Sequence, residues 1–199
     1  MFFQSVRRFV RPFLAVVSFS LSMTALLSIT GVQAQPERSG GITLVKVTGR
    51  SFSQSALRAV EKTATLGAVS NDKKTLTFDG KRITLVVHTG PEDDMLSYRI
   101  AGLKSPALLV PQGATLNIVF INEDSDMKHD LRFTNKKASF PAEPDQKEST
   151  GSPALAPHTK TVRFAEQMVV RAARTGTYVY LCTVKGHAAG GMFGTISVR

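Results

Sequence analysis

The sequence has no tryptophan and a single cysteine, Cys182, so no internal disulfide can brace the fold. Histidine is scarce as well: His88, His129, His158 and His187 are all there are. Past the N-terminus there is no apolar run long enough to span a bilayer. Basic residues exceed acidic ones, giving a formal charge of +10, but they are scattered in pairs such as Lys73-Lys74, Lys81-Arg82 and Lys136-Lys137. No basic block is interleaved with aromatics, so the charge reads as a solvated surface and nucleic acid is not expected as a partner. The excess charge can still steer acidic partners.

The N-terminus has the pattern of an export signal. Arg7, Arg8 and Arg11 precede a mostly apolar, uncharged segment from Phe13 to Ile29, and Val32-Gln33-Ala34 supplies small residues for cleavage. Residues 1–34 are therefore expected to be a signal peptide and residues 35–199 one domain in an oxidising compartment. The competing reading is a retained anchor, but Ser18, Ser20, Ser22 and Thr24 dilute the apolar run. Cleavage would remove three arginines and no acids, leaving +7, and no stable membrane insertion. In such a compartment a free thiol is a liability, and capping it with a metal removes the hazard.

Most of the chain reads as short strands. Ile42–Val47 looks like a first strand, and Ser53 to Gly67 like a helix, capped by Ser53 or Ser55 with Leu57, Val60, Ala64 and Leu66 at near-helical spacing. Nine further strands are expected over Thr75–Phe78, Arg82–His88, Ser97–Ala101, Ala107–Val110, Thr115–Ile121, His129–Thr134, Thr159–Phe164, Gly176–Cys182 and Phe193–Val198. Turns such as Asp79-Gly80 and Pro111-Gln112-Gly113 separate them, a spacing that fits a β-sandwich or barrel. Residues 135–158, rich in Pro, Ser and charge, read as a long surface loop.

The chemistry gathers at the C-terminus. In LCTVKGHAAGGMFGTISVR, Cys182, His187 and Met192 follow one another at intervals of five. A thiolate, an imidazole and a thioether on one short loop make a soft donor set suited to copper, and one more imidazole would complete a blue-copper site. His129 opens a strand after the turn Asn122-Glu123-Asp124-Ser125-Asp126, which favours it on strand-end geometry. His88, read as a surface residue beside a Gly-Pro turn, and His158, in the Pro-rich loop, stay open as alternatives.

The stretch YLCTVKGHAAGGMFGTISV resembles the C-terminal copper loop of the cupredoxins, the type 1 blue copper proteins. The rusticyanin-like branch is the most similar, and the sulfocyanins come next. The likeness extends upstream through TFDGKRITLVV, LLVPQGATLNIVFIN and GTYVYLC over about residues 53–199, and it is thin across 135–170. It implies an all-β, cupredoxin-like Greek-key β-sandwich carrying an N-terminal strand and helix extension over residues 42–70. It implies one type 1 copper held by His129, Cys182, His187 and Met192, which settles the choice of fourth ligand. It also implies a monomeric periplasmic electron carrier whose redox protein partners are a cytochrome or an oxidase. The edge of His187, ringed by Ala188, Ala189, Gly190, Gly191 and Phe193 with Lys185 at the rim, is the implied docking patch.

The resemblance breaks at one position. Rusticyanin-like proteins carry a small hydroxyl residue after the first histidine ligand and other cupredoxins often an amide, a side chain that ties the first ligand's strand to the cysteine loop; here it is Asp130. A carboxylate there should favour Cu(II) by Coulomb attraction and lower the potential, while the Asp130 N–H is placed to donate to the Cys182 sulfur.

Two rival functions have less support. A copper chaperone or store on the same fold would use exposed Met and His without a cysteine. An enzyme built on a Cys182–His187 dyad would need an orienting group and an oxyanion hole, and neither is marked; copper oxidases need more histidines than this chain has.

Overall fold

The computed structural model describes residues 40–199; the expected signal peptide and cleavage site lie outside them. Among the described residues no helix is long and apolar enough to cross a membrane. Among the described residues thirteen strands form two sheets packed face to face.

The first sheet runs in the order β1 (Ile42–Phe52), β11 (Arg163–Ala172), β8 (Thr115–Ile121), β4 (Arg82–Thr89), β5 (Tyr98–Ile100) and β6 (Leu103–Lys104). The second runs β10 (Thr150–Gly151), β9 (Arg132–Thr134), β12 (Gly176–Leu181), β13 (Phe193–Val198), β7 (Ala107–Val110), β3 (Thr75–Thr77) and β2 (Ala68–Val69). Hairpin partners are antiparallel, whereas β4–β8, β3–β7 and β7–β13 are parallel. Those parallel pairs join strands that are not consecutive in the chain, so each needs a connection that crosses between sheets or over a sheet end.

Alternation builds the core. Ile83, Leu85 and Val87 of β4, with Leu116, Ile118 and Phe120 of β8, meet Leu108, Phe133, Tyr180 and Ile196 from the other sheet. The opposite face of the first sheet is also covered. Leu57 of the helix α1 (Gln54–Glu61) packs on Val86, Val119, Ile121 and Ala165. Burial on both faces explains why β4 and β8 read as nearly continuous apolar runs. Leu57→Ala is expected to cost about 2–4 kcal/mol in urea unfolding, since its cavity opens on the face away from the inter-sheet core.

The helix is shorter than expected. Ser53 caps it, accepting a hydrogen bond from the Ala56 N–H at 3.3 Å, but it ends at Glu61 instead of Gly67. The Thr63 hydroxyl folds back onto the Val60 carbonyl at 2.7 Å, and the Thr65 N–H pairs with the Thr84 carbonyl at 2.8 Å. Hydroxyl side chains that compete for the backbone stop a marginal helix, and Leu66 is left 95% exposed.

Among the strand assignments, β9 begins at Arg132 instead of His129, and β1 and β11 change most. β1 extends to Phe52 because all of it, apart from a bulge between Leu44 and Lys46, pairs with β11. The strand expected at Thr159–Phe164 begins at Arg163 and runs to Ala172. Ala165, Glu166 and Gln167 are poor strand formers, and this segment is held extended by neighbours on both sides. The stretch 135–158 is only partly a surface loop. Thr150–Gly151 pairs with β9, and Ser149, Thr150, Ser152 and Leu155 are buried. A Cβ on Gly151 would collide with the Leu131 carbonyl, so only glycine allows that close approach.

Candidate metal centre

After β8 the chain turns sharply at Asn122, which is fully buried. Its Nδ2 lies 2.9 to 3.2 Å from the carbonyls of Met127, Leu155 and Ala156, and its Oδ1 accepts from the Asp124 N–H at 3.0 Å. Asp124 continues the turn, its Oδ1 accepting from the N–H groups of Asp126 (2.7 Å) and Met127 (2.9 Å). Its other oxygen meets His129 Nε2 at 3.0 Å. The far ring nitrogen of His129 is thereby fixed, leaving Nδ1 to face inward. The His129 backbone pairs with Leu155 through two hydrogen bonds of 3.3 and 2.8 Å, an isolated bridge in place of the expected strand start.

The second sheet supplies the other donors. β12 ends at Leu181, and Cys182 is locked across to β13 by its N–H to the Met192 carbonyl at 3.1 Å. Between them the chain coils tightly: His187 N–H to Val184 (3.0 Å), Gly190 N–H to Gly186 (2.8 Å) and Met192 N–H to the His187 carbonyl (2.9 Å). Gly186 and Gly191 take φ of 84° and 105°, values that favour glycine. The loop over 135–148 braces this coil from outside. The Ala142 carbonyl accepts from the Gly186 N–H at 2.7 Å, and the Phe140 ring meets Phe193 edge to face at 5.5 Å.

These elements bring four donors together. Cys182 Sγ lies 3.4 Å from His187 Nδ1 and 4.0 Å from His129 Nδ1, and Met192 Sδ lies 3.2 Å from His129 Nδ1. The three nitrogen and thiol donors all fall within 4.8 Å of one another. His129, Cys182 and Met192 are fully buried, and His187 shows only a 6% edge to solvent. Burial, and for His187 also the neighbouring His129 ring, keeps both imidazoles below their usual range, so their lone pairs are free. Burial, helped by the Asp130 carboxylate, pushes the Cys182 thiol up to about 12, so thiolate there calls for a bound cation. Two neutral imidazoles, a thiol and a thioether fit copper, as oxygen-seeking cations would not.

The other two histidines stand apart from this cluster. His88 is half-buried between Glu61 (3.6 Å) and Glu123 (3.3 Å), not the free surface residue expected, and Arg163 completes the network at 2.7 Å from Glu123. His158 turns its ring to the Thr159 carbonyl at 3.0 Å.

Asp130 has a structural role that its charge alone does not suggest. One carboxylate oxygen accepts from the Thr183 N–H at 2.6 Å and the other from the Thr183 hydroxyl at 2.5 Å. The Asp130 N–H points at Cys182 Sγ from 3.5 Å, and its carbonyl accepts from the buried Tyr98 hydroxyl at 2.6 Å. Burial raises the Asp130 carboxyl against these hydrogen bonds. The residue ties the His129 strand directly to the Cys182 loop. Sequence reading missed Asn122, Asp124, Thr183 and Tyr98 as supports; the Asn-x-Asp spacing of an Asx turn before His129 was the available signal.

Residues 65–199 match the family described as copper binding proteins of the plastocyanin/azurin type. Over 134 residues the chain is 33% identical to a rusticyanin of Acidithiobacillus ferrooxidans, covering 67% of this chain and 85% of that one. A rusticyanin of Acidithiobacillus ferridurans is 32% identical over the same length, with 71% of it covered. Among solved structures, reduced rusticyanin superposes with a TM-score of 0.69 at 28% identity, over 76% of this chain and 100% of that one. Rusticyanin from Thiobacillus ferrooxidans gives the same score and identity over 77% and 99%.

Proposed function

This chain belongs to the plastocyanin/azurin family of copper-binding proteins, and we propose that it is an exported electron carrier. Its ligands are His129, Cys182, His187 and Met192, and it catalyses no reaction of its own. The observation that carries this reading is the convergence of those four side chains at one buried end of the sandwich. When bound, copper supplies a one-electron couple between Cu(I) and Cu(II).

The protein's part is to hold the donors still and keep water out. Three of the four donors sit on one hydrogen-bonded coil, and the fourth is fixed by Asp124 and by the bridge to Leu155. Such a frame changes little when the charge at its centre changes, which keeps the reorganisation cost of electron transfer low. Met192 would supply a weak thioether donor, which would help set the potential. The complete burial of Cys182 weighs against a chaperone, which must hand its metal on.

The exposed part of the docking patch is Ala189, Gly190 and Gly191 beside the His187 edge. Ala188 is buried, Phe193 is covered by Phe140, and Lys185 is paired with Glu143 at 2.7 Å. A small flat patch of this kind suits brief contacts with a redox protein such as a cytochrome or an oxidase. Cleavage after Ala34 would release the chain into the periplasm as a monomer.

The test is voltammetry of the mature, copper-loaded protein, which should give one reversible one-electron wave. Met192→Leu should keep the copper and raise the potential by roughly 60 mV or more, the one-electron equivalent of a tenfold change in relative affinity, because Cu(II) loses more than Cu(I) when a donor goes. An unchanged or lower potential would remove Met192 from the ligand set.

A further inference from the structure

At the open edge of the sandwich a cleft of about 390 Å³ lies between β1, β11 and the segment 153–156. Across the β1–β11 ladder Gly49 faces Glu166 and Ser51 faces Phe164, so these four residues share one face. Pro153 and Leu155 form the opposite wall. Glu166 is only 6% exposed, and its Oε2 has no hydrogen-bond partner among the described residues. An unpaired carboxylate in such a place costs stability unless something answers it. Burial accordingly raises the Glu166 carboxyl above its usual range. Arg50 stands at the rim, but its ladder partner is Ala165, on the opposite face, and it forms no ion pair with Glu166.

We propose that this cleft binds a guanidinium group, with Glu166 as its counter-ion and the Phe164 ring as the surface on which it lies. A guanidinium is planar and weakly hydrated, so it enters a partly apolar cleft at lower cost than an ammonium and stacks on an aromatic face. One of its N–H groups can engage Oε1, the oxygen beside Gly49, and the second can pair with Oε2, which is closed to solvent, once the side chain turns toward the cleft. Gly49, having no side chain, leaves the approach to Glu166 open; a Cβ there would stand 3.6 Å from Oε1. The site is independent of the electron-transfer reading.

The test is amide NMR of the full Cu(I)-loaded chain during titration with N-acetyl-arginine amide. The uncharged citrulline analogue and spermidine serve as comparisons. Saturable shifts centred on Gly49, Ser51, Leu155 and Glu166 are expected from the arginine probe, with binding at least about tenfold weaker for citrulline and for spermidine. Glu166→Gln keeps the shape and removes the charge, so it should fold and lose the binding. Phe164→Leu keeps the charge and should weaken it several-fold, by about the worth of one stacking contact. An extended peptide with one arginine that binds more tightly than the amide would assign the group to a protein partner; equal affinity would assign it to a small guanidino compound. No saturable shift from the arginine probe, equal binding by spermidine, or undiminished binding by folded Glu166→Gln would overturn the proposal.

Discussion

Cys182→Ser is expected to abolish the intense visible band of the copper-loaded protein completely. The band of a type 1 centre arises from charge transfer between thiolate and copper, and Cys182 is the chain's single thiol. Its sulfur sits 3.4 Å from His187 Nδ1 and 4.0 Å from His129 Nδ1, at the centre of the donor set. A serine hydroxyl is smaller, hard and very reluctant to ionise, so any Cu(II) retained by the imidazoles would be pale. The fold should survive, because the thiol's packing neighbours lose little volume. Absorption and circular dichroism of the same sample check both statements. A blue band in the folded variant would remove Cys182 from the site.

Asp130→Ala should be the most damaging substitution among the supporting residues. It would leave the buried Thr183 N–H and hydroxyl without the two carboxylate oxygens that now accept from them at 2.6 and 2.5 Å. Losing hydrogen bonds to a charged group and burying the orphaned donors should cost roughly 3 kcal/mol or more, measurable by denaturant unfolding. Asp130→Ser can restore one of those bonds, so it separates the clamp from the charge. In both variants a negative charge beside the centre is gone, Cu(II) loses more stabilisation than Cu(I), and the potential should rise. For the serine variant a rise of about 60 mV or more is expected, equal to a tenfold shift in relative affinity. An unchanged potential in Asp130→Ser would mean that the two Thr183 hydrogen bonds already neutralise the carboxylate's field.

Parts of this molecule could be read directly from the sequence. Thr115–Ile121 and Phe193–Val198 occupy the residues expected because continuous or alternating apolar runs leave one way to bury them. The spacing of Cys182, His187 and Met192 was legible because a single loop carries all three. The convergence of His129 on them was less so, since a contact between residues 53 positions apart has no local trace; resemblance to a family supplied it. β11 was misplaced because Ala165, Glu166 and Gln167 carry no strand signal of their own, and its extended form comes from β1 and β8 on either side. The helix ended early because Thr63 and Thr65 turn their hydrogen bonds to other partners. A tie from position 130 to the cysteine loop was implied by the family resemblance, but its partner Thr183 had no local trace, for the same reason as His129. Each residue is ordinary alone, and only the fold makes them neighbours.

The most direct test of a redox copper centre is a visible spectrum of the purified mature protein with one equivalent of Cu(II), then with reductant, then after reoxidation. An intense blue band that bleaches on reduction and returns on oxidation is the expected result. A colourless or merely pale product, or a band that does not return, would contradict convergence of Cys182 with His129, His187 and Met192 on one copper.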